Sequence, residues 1–135
     1  MKDDGLYLVN MKESIDKILS YAQGGWDQFM SSPMEQDAVI RNFEILGEAS
    51  KRVSKELKEK TPNIPWKKIG GLRDVLIHDY DVIDLEEVWK IVQQNIPGLK
   101  KSVEILISEK GITMRGFLKG IDTSVKRERD RKRKI

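Results

Sequence analysis

The chain has 135 residues and no cysteine, so it suits one compact domain and excludes a disulfide framework, a zinc ribbon and a thiol nucleophile. The net charge of +3 is uneven: residues 112–135 carry nine Lys/Arg against three Asp/Glu, while residues 1–111 carry sixteen against nineteen. No apolar run approaches the ~20 residues of a membrane span, and "MKDDGLYLVN" lacks a signal-peptide pattern, so the expectation is a soluble cytoplasmic protein with no membrane partner.

Helical spacing runs through most of the chain. Leu8, Met11, Ile15, Ile18 and Ala22 recur at three- and four-residue steps, marking one face of a first helix. The paired glycines of "QGGWD" break it. A second helix starts at "SPME", where Ser32 can cap, Pro33 fits the first position and Glu35 can close a capping box. Ala38, Ile45, Ala49, Val53 and Leu57 give this helix a buried stripe, and the spacing predicts one long helix over 33–58.

"KTPNIP" reads as a loop, and Pro65 can open a third helix at its first position. Ile69, Leu72, Val75 and Leu76 supply its apolar side. Gly70 and Gly71 weaken that helix by ~1 kcal/mol each relative to alanine, and would admit another helix at close range. Asp84 with Glu87 resembles a further cap. Leu85, Val88, Trp89, Val92, Ile96, Leu99, Val103 and Leu106 then mark a last long helix, which Pro97 should bend rather than end. No alternating strand pattern of useful length occurs. The expected architecture is therefore all-α: an up-and-down four-helix bundle over 1–110, with a basic, flexible tail over 111–135.

The only histidine lies in "RDVLIHDY". A lone histidine in a helix is ordinarily structural or exposed. Arg73 and His78, five residues apart, differ by about 140° around a helix axis and ~7.5 Å along it. One helix alone cannot aim both at one small group. A two-fold dimer could, because each patch then meets its own copy. Arginine suits phosphate through its fixed charge and paired donors, and histidine moves protons near neutral pH. Together they meet the needs of metal-free RNA cleavage. Asp74, one turn before His78, shares its face and could orient the ring.

"RDVLIHDY" resembles the R-x4-6-H-x-Y motif of HEPN-domain toxins, in particular the HepT group encoded beside minimal nucleotidyltransferase antitoxins. "RNFEILGEASKRVS", "PNIPWKKIGGLRDVLIHDY" and "DLEEVWKIVQQNIPGLK" are similar to that family's successive helices, over roughly residues 11–108. The resemblance implies a HEPN-like helical homodimer with the motif helix at its interface, acting as a metal-independent endoribonuclease toxin of a type VII system. Carried over, Arg73 contacts the scissile phosphate, His78 transfers protons and Asp74 supports the site. Tyr80 matches the tyrosine to whose hydroxyl the antitoxin adds AMP from ATP. Cleavage itself then needs no cofactor, ATP serving only the antitoxin, and the partners are RNA, a second copy and that antitoxin. The alternative is a noncatalytic HEPN subunit that binds nucleotide or presents substrate to a nucleotidyltransferase.

Asp79, Asp81 and Asp84 surround His78, but loop aspartates ordinarily cap helices, and no metal site is assigned to them. Arg41, Asn42 and Glu48 read as the wet face of the second helix, with a few such residues able to line a cleft. Trp26, Trp66 and Trp89 read as core or interface anchors. The terminal "KRERDRKRKI" can bind phosphate backbones nonspecifically or simply be solvated.

Overall fold

Apolar residues at helical spacing form helices throughout the computed structural model, which describes residues 4–72 and 83–109. In chain order these are α1 (Asp4–Tyr21), α2 (Trp26–Ser31), α3 (Pro33–Arg52), α4 (Lys55–Lys60), α5 (Trp66–Gly70), α6 (Leu85–Gln94) and α7 (Ile96–Glu109). The all-α expectation holds. No helix among the described residues is long and apolar enough to cross a membrane. Residues 111–135, expected as a basic tail, lie outside the described residues.

α1 packs on α3 and α7, α6 packs on α7, and α3 also carries α2 and α5. Leu8, Met11, Ile15 and Ile18 of α1 are fully buried, as their spacing predicts, against a core that includes Phe43 and Leu46 of α3 and Val103 of α7. Truncating Phe43 in such a core would cost about 3–5 kcal/mol. Trp89 lies edge-on to Trp26, with centroids 5.9 Å apart, and tilted on Phe29 at 5.2 Å. Trp89 is thus a packing anchor that ties α2 to α6.

Six details differ from the spacing-based expectation. The long second helix divides into α3 and α4, because Val53 and Ser54 are extended. Ser54 caps α4 by accepting from the Leu57 N–H at 3.2 Å, while its own N–H and hydroxyl donate to the buried carboxylate of Asp4 at 2.8 and 2.6 Å. The buried stripe of α3 is also rotated. Val39, Phe43 and Leu46 are fully buried, whereas Ala38 and Ile45 are only half-buried at its edge. The last helix is interrupted rather than bent: Asn95 joins α6 to α7, and Pro97 falls in the first turn of α7, where a missing N–H leaves no bond unmade. Pro65 sits one position earlier than expected, as the residue before α5. Finally, Trp26–Ser31 forms a short helix where only a break was expected. Ser32 and Asp84 do cap α3 and α6, accepting from the Glu35 and Glu87 N–H groups at 3.2 and 3.1 Å. Glu35 does not close the box; its carboxylate accepts from Gln28 instead.

An ion-pair group joins α1 to α7. Lys12 donates to Asp16 at 2.6 Å and lies 3.7 Å from Glu104, while Lys100 lies 3.1 Å from Asp16. Partial burial pushes the Asp16 carboxyl up, but Lys12 and Lys100 outweigh it and hold the group below the usual carboxylate range. The Asp16 hydrogen bond raises Lys12 above its ordinary range. A depressed carboxyl stabilises the fold above its unfolded value, near ~4, and loses that contribution as pH falls through its lower folded value. Asp16→Asn should therefore lower stability at pH 7 by about 0.2–1 kcal/mol, the range for solvent-screened pairs. Thermal unfolding of the two proteins from pH 7 down to pH 2 should show the difference shrinking towards zero in acid.

Candidate active site

Arg73, Asp74, His78 and Tyr80 all fall within residues 73–82, outside the described residues, as do Asp79 and Asp81. The flanks of that segment are described, and both are firmly held. On the N-terminal side Leu72 is buried and α5 lies across α3. On the C-terminal side Ile83 packs against the core and Asp84 caps α6.

The crossing of α3 and α5 depends on glycine. A Cβ placed on Gly47 would stand 3.1 Å from the Ile69 carbonyl oxygen and 3.6 Å from that of Gly70. A Cβ on Gly70 would meet the Lys51 side chain at 3.2 Å. The close approach expected at Gly70 is real, and its partner is Gly47, a residue the sequence pattern did not single out. α5 is also fixed from the loop side. Trp66 is buried, and its indole N–H donates to the Thr61 hydroxyl at 2.9 Å, so "KTPNIP" folds back onto the start of the helix.

Among the described residues α5 borders several clefts, and two of them are shared with other helices. One, of about 470 Å³, is bounded by Tyr7 and Asn10 of α1, Arg41, Glu44 and Glu48 of α3, and Gly70. The other, of about 590 Å³, lies between α5 and the α6–α7 junction, with Ile69, Leu72, Ile91 and Leu99 as walls and Asn63, Gln94 and Asn95 among its polar groups. Arg41 and Glu48 reach the first cleft from the wet side of α3, paired with Glu44 at 3.3 Å and Lys51 at 3.6 Å. Asn42 does not: it is buried, and its amide donates to the Ala38 carbonyl at 2.8 Å. Reading it as part of the wet face is corrected. α3 instead uses a polar side chain inside its own packed face, satisfied locally.

The comparison with known families covers most of this frame. The sequence model of the ribonuclease HepT-like family matches residues 11–106, a span that contains the Arg73–Tyr80 segment and both of its flanks. The chain belongs to the ribonuclease HepT-like family. Among relatives, it is 40% identical over 106 residues to a Methanocaldococcus jannaschii protein provisionally named an RNase, covering 78% of this chain and 97% of that one. It is 39% identical over 101 residues to the "Probable ribonuclease HepT" of Thermococcus cleftensis, covering 74% and 92%. A second Methanocaldococcus jannaschii relative, 41% identical over 109 residues, matches over 80% of this chain but only 49% of its own length, and its name joins gamma-glutamylcyclotransferase to a provisional RNase. No solved structure matches the chain.

The glycine contact makes a differential prediction for this HepT-like frame. Gly47→Val should destabilise the fold by about 1–3 kcal/mol, because its side chain would be driven into the backbone of α5. Gly70→Ala should be nearly neutral, since it presses only on the movable stem of Lys51. Denaturant unfolding of both variants measures the contrast.

Proposed function

We propose that this protein is a metal-independent endoribonuclease that works as a homodimer, with two copies of the Arg73–His78 pair lining one cleft. The observation that carries this reading is membership of the ribonuclease HepT-like family over a span that includes "RDVLIHDY". The reaction requires two proton-transfer groups. One takes the proton of the 2′-hydroxyl as that oxygen attacks phosphorus, and the other protonates the 5′-oxygen as its bond to phosphorus breaks. The chain offers one histidine, and a dimer offers two. Arg73 donates to the non-bridging oxygens, where negative charge builds up, and Asp74 orients the ring of His78. The products are a 2′,3′-cyclic phosphate and a free 5′-hydroxyl, with no water consumed.

In this reading the protein is the toxin of a cytoplasmic type VII toxin–antitoxin pair. A minimal nucleotidyltransferase antitoxin silences it by transferring AMP from ATP to the Tyr80 hydroxyl, with release of pyrophosphate. The added phosphate places negative charge beside a site that must accept RNA, and repels it.

His78→Ala should reduce RNA cleavage in EDTA by at least about 100-fold, the scale of general acid–base catalysis, while sedimentation still shows a dimer. Undiminished cleavage by this variant overturns the assignment. Tyr80→Phe should keep cleaving RNA yet escape silencing by ATP and the antitoxin. If the unaltered protein leaves RNA intact in EDTA, the noncatalytic reading replaces this one.

A further inference from the structure

The segment that precedes Arg73 is the most cationic part of an otherwise acidic body. Residues 51–68 carry seven Lys/Arg against two Asp/Glu, whereas residues 1–50 and 69–111 together carry nine against seventeen. The fold gathers several of these cations where the ends of α3, α4 and α5 meet. The Lys51 stem lies over Gly70. Lys58 donates to the Lys51 carbonyl at 3.3 Å and stands 5.8 Å from the Trp66 ring centroid. Lys67 and Lys68 project from α5, and Arg52 from the last turn of α3, all three exposed.

Helix chemistry accounts for part of this. Lys51 and Arg52 end α3, where cations complement the macrodipole. That explanation does not require the cations to remain unneutralised. Within this segment Lys51 is paired with Glu48, Lys55 with Glu59 and Lys60 with Glu56. Arg52, Lys67 and Lys68 have no carboxylate partner among the described residues, although the body as a whole has acid to spare. Three exposed cations in one stretch of chain offer an outside polyanion a place to bind.

We infer that Arg52, Lys67 and Lys68, with Lys51 and Lys58 behind them, form a phosphate-binding track for single-stranded RNA leading to the Arg73–His78 pair. The track rests on the ribonuclease reading and adds to it the surface that holds the substrate. Chain connectivity sets the reach: Lys68 and Arg73 are five residues apart, so their Cα atoms are at most ~18 Å apart whatever path the backbone takes. Phosphates held at α5 therefore belong to the same strand, a few nucleotides from the scissile bond. Such contacts supply affinity and placement without reading bases.

The test uses the full chain and the triple variant Arg52→Ala/Lys67→Ala/Lys68→Ala. A second triple variant, Lys17→Ala/Lys90→Ala/Lys101→Ala, removes the same net charge from exposed sites elsewhere. Binding of a labelled 2′-O-methyl oligoribonucleotide, which cannot be cleaved through a 2′-oxygen, is followed by fluorescence anisotropy across a salt series. Each lost phosphate contact on a single strand should lower the slope of log K against log salt by about 0.7, so the track variant should lose about 2 and the control almost nothing. On cleavable RNA the track variant should show a raised KM with kcat unchanged. Equal slopes in the track variant and the unaltered protein overturn the inference. An equal loss in both triple variants overturns it too, since net charge alone would then be responsible. Unchanged RNA binding with loss of antitoxin binding assigns the patch to a protein partner instead. Salt-sensitive binding with no cleavage by the unaltered protein would sink the ribonuclease reading while leaving the phosphate contacts in place.

Discussion

The approach of the Gly47 backbone to the carbonyls of Ile69 and Gly70 is the contact on which the functional part of this structure depends. α5 is only five residues long and could not persist alone, so its position is set by what it lies against. Trp66 holds its start through Thr61, and α3 holds its end through glycine. Everything from Arg73 onward leaves from that fixed point. On the far side, Ile83 and the Asp84 cap fix the return into α6. The candidate catalytic residues thus belong to a short segment tethered at both ends to the main core.

That arrangement explains how a small helical body can carry ribonuclease chemistry. In the proposed reaction the second proton-transfer group comes from a second copy, and each site segment would have to be held rigidly enough for two to coincide. The core formed by α1, α3 and α7 supplies the rigidity. The ion pairs of Lys12, Asp16, Lys100 and Glu104 fasten α1 to α7. Charge then divides the work. In the proposed reading the acidic body disfavours RNA over most of its length, while Arg52, Lys67 and Lys68, which have no carboxylate partner among the described residues, offer a strand a place to settle.

How much of this the sequence discloses depends on distance along the chain. The buried face of α1 and the Ser32 and Asp84 caps are local patterns, and they read correctly. "RDVLIHDY" is local too, and it led to the family. The break at Ser54 was not legible, because the carboxylate bonded there belongs to Asp4, 50 residues earlier. The rotation of α3 was missed for a related reason. Ala38, Val39, Ile40, Phe43, Ile45 and Leu46 offer two overlapping apolar stripes, and only the neighbouring helices decide which is buried. Asn42 could not be placed for the same reason. Nothing local marks Gly47, and only α5 lying across it gives the residue its role.

The central claim is that two Arg73–His78 segments face each other across a symmetry axis. The chain has no cysteine, so His78→Cys allows one spin label per copy, and pulsed electron–electron dipolar spectroscopy can measure the distance between labels. Helices packed across a two-fold axis lie about 8–10 Å apart, so, allowing for the label arms, the account predicts one distance peak below about 30 Å. No dipolar coupling, as in a monomer, or a peak well beyond that range would contradict it.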